Sequence, residues 1–192
     1  MRVYDEGTKS LLSELTGGFW QYPGHSNRIF ALKFNPEDPN IIMSAGWDQV
    51  VYFWDIRDKR SFASIYGPSI TGDALDISGN EILTGSWRNR DQLELWDYGT
   101  RKRISVIDWE YGTKRDTAFV YTCQFSKKGN AEILAGCSNL NEVKVFDRTS
   151  EHRDIGKLSM DKAVFNVDFA NNRDMFSVCG ADGRVHIVQL NK

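Results

Sequence analysis

No apolar run in this sequence approaches the ~18 residues that a membrane-crossing helix needs. The opening residues MRVYDEGTKS also lack the apolar centre of a signal peptide. Neither sign of charge dominates: 24 Lys and Arg are interspersed among 26 Asp and Glu, for a formal net charge of −2. That balance gives no general electrostatic argument for nucleic acid or an anionic membrane. Arg88, Arg90, Arg101, Lys102 and Arg103 form only a local basic cluster, interrupted by acids, and read as a solvated edge. Cysteine is scarce. Cys123, Cys137 and Cys179 are odd in number and widely spaced, which suggests reduced thiols inside a cell rather than a disulfide framework. Catalytic signatures are missing too: there is no phosphate-cradling glycine loop, no G-x-S-x-G elbow and no H-E-x-x-H pair. His152 and His186 have no zinc-ligand spacing to a cysteine. The expectation is a soluble cytoplasmic protein, with cytoskeletal or nuclear association left open, that is not an enzyme and uses no metal or cofactor.

What is present is a repeating pattern, clearest over residues 24–57. This stretch opens on Gly24-His25 and closes on Trp54-Asp55. Between them, residues 29–34, 41–45 and 50–56 are rich in β-branched and aromatic residues and are separated by turn formers, so they predict three antiparallel strands. The closing dipeptide recurs along the chain. Tyr4-Asp5, Trp54-Asp55, Trp96-Asp97, Phe146-Asp147 and Val188-Gln189 follow one another at 50, 42, 50 and 42 residues, each after a strand-like run. Runs such as IIMSA and VVYFW are apolar on both faces, as expected of sheets sandwiched between neighbours.

Gly24-His25, Ser44, Asp48 and Trp54-Asp55 together resemble a WD40 repeat, the blade unit of a β-propeller. The resemblance implies an all-β fold of four antiparallel four-stranded blades, preceded by a remnant of another. Residues 1–16 are the remnant, with a strand c at 2–5 and a strand d at 8–16. The repeats are then 17–66, 67–109 with its strand d at 102–109, 110–160 and 161–192, and the last stops before a strand d. The resemblance also implies that Asp48, His25, Ser44 and Trp54 form a buried polar chain that fixes strand register, in preference to an acid–base or metal-binding role for His25. Later repeats each lack members of this set. A full ring of the family has about seven blades, so the chain is expected to be the C-terminal part of a larger propeller, with the missing blades supplied upstream or by another chain. A homodimer forming an eight-bladed ring is the alternative.

The same resemblance implies a protein-interaction scaffold within a multiprotein assembly. Its expected partner-binding rim, on the d–a and b–c loops, carries Trp20, Tyr22, Trp47, Trp87, Arg88, Arg90, Tyr111 and Arg115. Aromatic and arginine residues are the types enriched at binding hot spots. A second reading comes from Trp54-Asp55-Ile56-Arg57, which matches the box of WD40 substrate receptors in cullin-RING ubiquitin ligases and makes Arg57 a possible adaptor contact. The box occurs once here, and the competing reading is a local bond from Arg57 at the strand end.

Overall fold

A computed structural model describes residues 1–17, 23–109, 117–129 and 131–190. Among these residues every regular element is a strand. β1 (Arg2–Tyr4) and β2 (Leu11–Glu14) pair in a two-stranded sheet. Blade 1 follows as β3 (Ile29–Phe34), β4 (Ile41–Gly46), β5 (Val50–Asp55) and β6 (Arg60–Tyr66). Blade 2 is β7 (Leu75–Ser78), β8 (Glu81–Gly85), β9 (Leu93–Asp97) and β10 (Arg103–Val106). Blade 3 is β11 (Phe119–Phe125), β12 (Glu132–Ser138), β13 (Glu142–Asp147) and β14 (Arg153–Ser159). The last sheet shows three strands among the described residues: β15 (Val164–Phe169), β16 (Met175–Gly180) and β17 (Val185–Gln189). Every sheet is an antiparallel meander in chain order.

The sheets stack face to face because their middle strands are apolar on both sides. β4 is buried throughout, as is β12, and β5 and β13 are buried up to their final aspartate. One apolar cluster joins blades 1, 2 and 3 through residues such as Phe53, Leu83, Leu95 and Ile133. A second joins blade 3 to the last sheet through Val143, Val145, Val167 and Phe176. A third packs Leu15, Met1 and Val3 against Ile42, Tyr52 and Trp54 of blade 1. None of these clusters joins the last sheet to the first.

Two strand bounds differ from the sequence expectation for local reasons. The strand expected over 8–16 begins only at Leu11, because the Asp5 carboxylate accepts the Thr8 N–H and hydroxyl at 2.6 and 2.8 Å and holds a turn there. The strand expected over 102–109 ends at Val106. Beyond it Trp109 leaves its own sheet, and its indole N–H donates to Glu142 of blade 3 at 3.2 Å.

The aspartates of the closing dipeptides share a further task. Asp5, Asp97 and Asp147 each accept a backbone N–H and a hydroxyl from a threonine two or three residues on, and Asp55 accepts the Arg57 N–H. In three of these c–d turns the residue four positions after the aspartate donates its N–H to the aspartate carbonyl. These are Lys9, Lys59 and Arg101, and each lies in the left-handed region at φ 56, 58 and 62°.

Candidate interaction rim

Blade 1 holds a buried polar relay. The His25 ring lies with Nδ1 2.8 and 3.0 Å from the two Asp48 carboxylate oxygens and Nε2 2.7 Å from the Ser44 hydroxyl. The Trp54 indole N–H donates to that same hydroxyl at 2.7 Å. One proton assignment satisfies all four groups: Nδ1–H donates to Asp48, the Ser44 O–H donates to Nε2, and Ser44 accepts from the indole. Asp48 also accepts the Ser26 N–H at 3.0 Å, so the relay ties the b–c turn to the chain entering β3. His25 and Asp48 side chains are each 4% exposed, so neither ring nitrogen faces solvent. The Tyr52 ring meets His25 edge-on at 4.8 Å and closes the site.

Along the chain this relay shrinks. In blade 2 the Trp96 indole donates to Thr84 at 2.9 Å, with Gly67-Pro68 in the place of Gly-His. In blade 3 the register puts Ala135 and Phe146 at those positions, and neither can hydrogen-bond. The last sheet has a local pair instead, His186 Nε2 to Asp182 at 2.6 Å across its b–c turn. Cys123 and Cys137 are buried, and that burial pushes both thiols up, the latter to about 12, far from thiolate chemistry.

The rim is built from the b–c loops and the adjoining inner strands. Trp47 lies 4.9 Å from the Phe30 ring, with the Arg28 guanidinium 5.4 Å from the centre of its indole. Trp87 stacks on Phe119 of blade 3 at 4.6 Å and 15°, and meets Tyr121 edge-on at 4.8 Å. Tyr121 in turn meets Phe165 of the last sheet at 5.2 Å. An aromatic ladder thus crosses three sheets, with Trp87 and Phe165 at its ends 38% and 46% exposed. Sequence reasoning missed Phe119, Tyr121 and Phe165. Their signal was an aromatic residue recurring near the start of successive inner strands.

Beside Trp87 lies a crevice of about 500 Å³ lined by Gln49, Gly67, Ser69, Arg88, Arg90 and Asp91. Arg90 is exposed there. Arg88 is committed inward: it donates to the Gly67 carbonyl at 3.0 Å and to the Asp91 carbonyl at 2.9 and 2.6 Å, and it pairs with Glu94. Glu94 is buried in mid-strand and shared with Arg103 at 2.8 Å. Burial pushes the Glu94 carboxyl up, with the two arginines pulling the other way. Trp20, Tyr22, Tyr111 and Arg115 lie outside the described residues. No cluster of His, Cys, Asp and Glu that could hold a metal ion is found among the described residues, and no helix there is long and apolar enough to cross a membrane.

Residues 19–55 match the family model described as WD domain, G-beta repeat. The match covers the entry chain, β3, β4 and β5, and so includes the whole His25 relay. Residues 19–55 are thus a WD40 repeat, and the sheets that follow repeat its strand order. Among curated proteins it is 26% identical over 190 residues to the Mitotic checkpoint protein bub-3 of Caenorhabditis elegans, covering 90% of this chain and 52% of that protein. It is 35% identical over 88 residues to the Small ribosomal subunit protein RACK1 of Drosophila melanogaster, covering 41% of this chain and 27% of that protein. It is 33% identical over 69 residues to Protein SUPPRESSOR OF PHYA-105 1 of Arabidopsis thaliana, covering 36% of this chain and 6% of that protein. The chain therefore spans about half the length of one of these relatives and much less of the other two.

Arg57, just beyond the matched residues, has a local partner. Its guanidinium is bidentate on Asp55, at 2.9 and 2.5 Å to the two oxygens, and this hydrogen bonding pulls the Asp55 carboxyl down to about 2. The Arg57 side chain is 61% exposed.

Proposed function

We propose that this WD40 chain is a non-catalytic scaffold that binds other proteins through the rim carrying Trp47, Trp87 and Arg90, inside a multiprotein assembly. The observation that carries the reading is the aromatic ladder from Trp87 to Phe165, two of whose rings stay open to solvent beside a crevice rimmed by an arginine. Large exposed aromatic surface next to a cation is the composition of protein-binding hot spots. The names of two relatives, one a mitotic checkpoint protein and one a small ribosomal subunit protein, are consistent with work in assemblies. They favour a cytoplasmic or nuclear setting. Arg88 serves the rim indirectly, by holding the b–c loop that carries Trp87. The relay of His25, Ser44, Asp48 and Trp54 is structural.

We also infer that the four sheets are part of a larger propeller. Support comes from the apolar clusters of the described residues, none of which joins the last sheet to the first. The ubiquitin-ligase reading through Arg57 gains no support from a guanidinium already paired with Asp55. The test of the scaffold reading is a pull-down from the native source with Trp47→Ala and Trp87→Ala combined. Loss of the wild-type partners with an unchanged unfolding midpoint is expected. An unchanged partner list would remove this rim from consideration.

A further inference from the structure

Three of the four inner strands share one irregularity near the rim. Ala31, Thr122 and Asn166 pair with Ala45, Gly136 and Cys179, and a shift of register immediately precedes each of them. Ala74 holds the equivalent place in blade 2, where its carbonyl accepts the Gly85 N–H at 2.9 Å. The residues just before these four are Phe30, Asp73, Tyr121 and Phe165. A bulge re-aims the side chain set in it. Three blades thus bring an aromatic ring to this position, and blade 2 brings a carboxylate.

Asp73 is held among the rings by its backbone. Its carbonyl accepts the Cys123 N–H of blade 3 at 3.1 Å, which fixes it between blades 2 and 3. Gly72 lets the loop lie directly on blade 3, since an added Cβ there would stand 2.4 Å from the Tyr121 carbonyl oxygen and 3.3 Å from the Tyr121 ring. Further back on the same loop, the Ser69 carbonyl accepts the Trp87 N–H at 2.8 Å. The Asp73 carboxylate, by contrast, is almost unused. It is exposed, and among the described residues it forms no ion pair and accepts only the Asn166 amide of the last sheet, at 3.5 Å. Lys33, whose charge interacts with it at longer range, is bonded to Asp76 at 2.9 Å.

We propose that Asp73 and the aromatic ladder beside it recognise one cationic side chain, a lysine or arginine on a segment of the partner protein. The inference rests on the reading of this rim as a protein-binding surface and adds the chemistry of what enters it. The carboxylate supplies a counter-charge, and the ring faces present the negative side of the aromatic quadrupole, so both attract an ammonium or guanidinium group. A partner without a cation there would cover Asp73 and leave its charge desolvated and unmatched. An acidic side chain would be repelled by the carboxylate and by the ring faces alike.

The test presents the native full-length protein with a phage-displayed library of random dodecapeptides, after which the selected peptides are synthesised. They should share one Lys or Arg. Replacing it by norleucine or citrulline, which removes the charge and nearly keeps the length, should weaken binding about tenfold in fluorescence anisotropy. Asp73→Asn should weaken the unmodified peptide by the same factor and leave the uncharged analogue unaffected. Its unfolding midpoint should not move, because an amide oxygen can still accept from Asn166. Phe165→Leu should weaken binding about two- to fivefold. Asp73→Lys should select peptides with Asp or Glu in place of the basic residue. Peptides that lose binding to the Trp47→Ala, Trp87→Ala double variant but share no cation, or bind Asp73→Asn as tightly as the wild type, would overturn the cation site and leave the rim reading standing. Peptides indifferent to the double variant, or an empty selection, would remove both.

Discussion

At the scale of single residues, the His25 relay shows why a buried polar chain needs every member. His25, Asp48, Ser44 and Trp54 are out of water, so removing one leaves its neighbours with unmatched donors or acceptors. Such losses cost more than the net worth of the bonds themselves. His25→Ala is expected to destabilise the fold by ~1–3 kcal/mol, and Ser44→Ala by a similar amount, read from urea unfolding midpoints. The double variant should lose less than the sum, since both break one network. An additive double variant would mean the relay does not act as a unit. The four residues stand within one repeat, and so the sequence offers them as a group. Arg88 was not legible in this way. Its partners are two carbonyls and a glutamate in the middle of an apolar strand, and only the fold of the lengthened b–c loop brings them together. The sequence does carry one signal there, the acid Glu94 set between Leu93 and Leu95.

At the scale of elements, the strands of the middle blades were readable because their both-face apolar pattern is set by short-range order. The edges were less so, because turn chemistry overrides propensity. β2 starts late because Asp5 holds Thr8 in a turn, and β10 ends early because Trp109 is claimed by the next blade. The c–d turns carry two predictions. Lys59, at φ 58°, occupies a backbone region that costs a side-chain-bearing residue ~1 kcal/mol or more. Lys59→Gly should therefore raise stability by about 0.5 kcal/mol, and Lys59→Ile should lower it by ~1–2 kcal/mol, read from thermal and urea unfolding. The turn aspartates add a pH dependence. Hydrogen bonding by Arg57 holds Asp55 at about 2, and the Thr100 and Thr149 hydroxyls hold Asp97 and Asp147 below their ordinary value. A carboxylate with a depressed folded value contributes stability that is complete above the unfolded pKa of ~3.9 and is lost as pH falls through the folded value. Glu94, raised by burial, works the other way. The unfolding midpoint should fall between about pH 4 and pH 2. Replacing Asp55, Asp97 and Asp147 together by Asn should flatten that fall. An unchanged slope would show that these turns do not drive acid unfolding.

At the scale of the whole molecule, packing is unequal along the chain, and that inequality has a measurable consequence. Blades 1, 2 and 3 share one apolar cluster, whereas the last sheet is attached through a smaller one on a single side. Its strand β17 alternates exposed and half-buried residues, in contrast to the buried β5, β9 and β13 at the same place in their blades. Local opening is cheapest where few apolar contacts hold an element and its backbone hydrogen bonds face water. Residues 1–192 by themselves should therefore open from the last sheet first. Amides of β16 and β17 are expected to exchange with deuterium at least about tenfold faster than those of β4, β8 and β12, a difference of at least ~1.4 kcal/mol in opening free energy. The gradient also reports on the assembly. If a further blade covers Val185 and Ile187, the same amides in the native protein gain a second packed face, and their exchange should slow toward that of β12. Equal exchange across all four sheets in the isolated residues would show that the last sheet is held by something other than the packing described. A gradient that persists unchanged in the native protein would show that nothing covers its outward face.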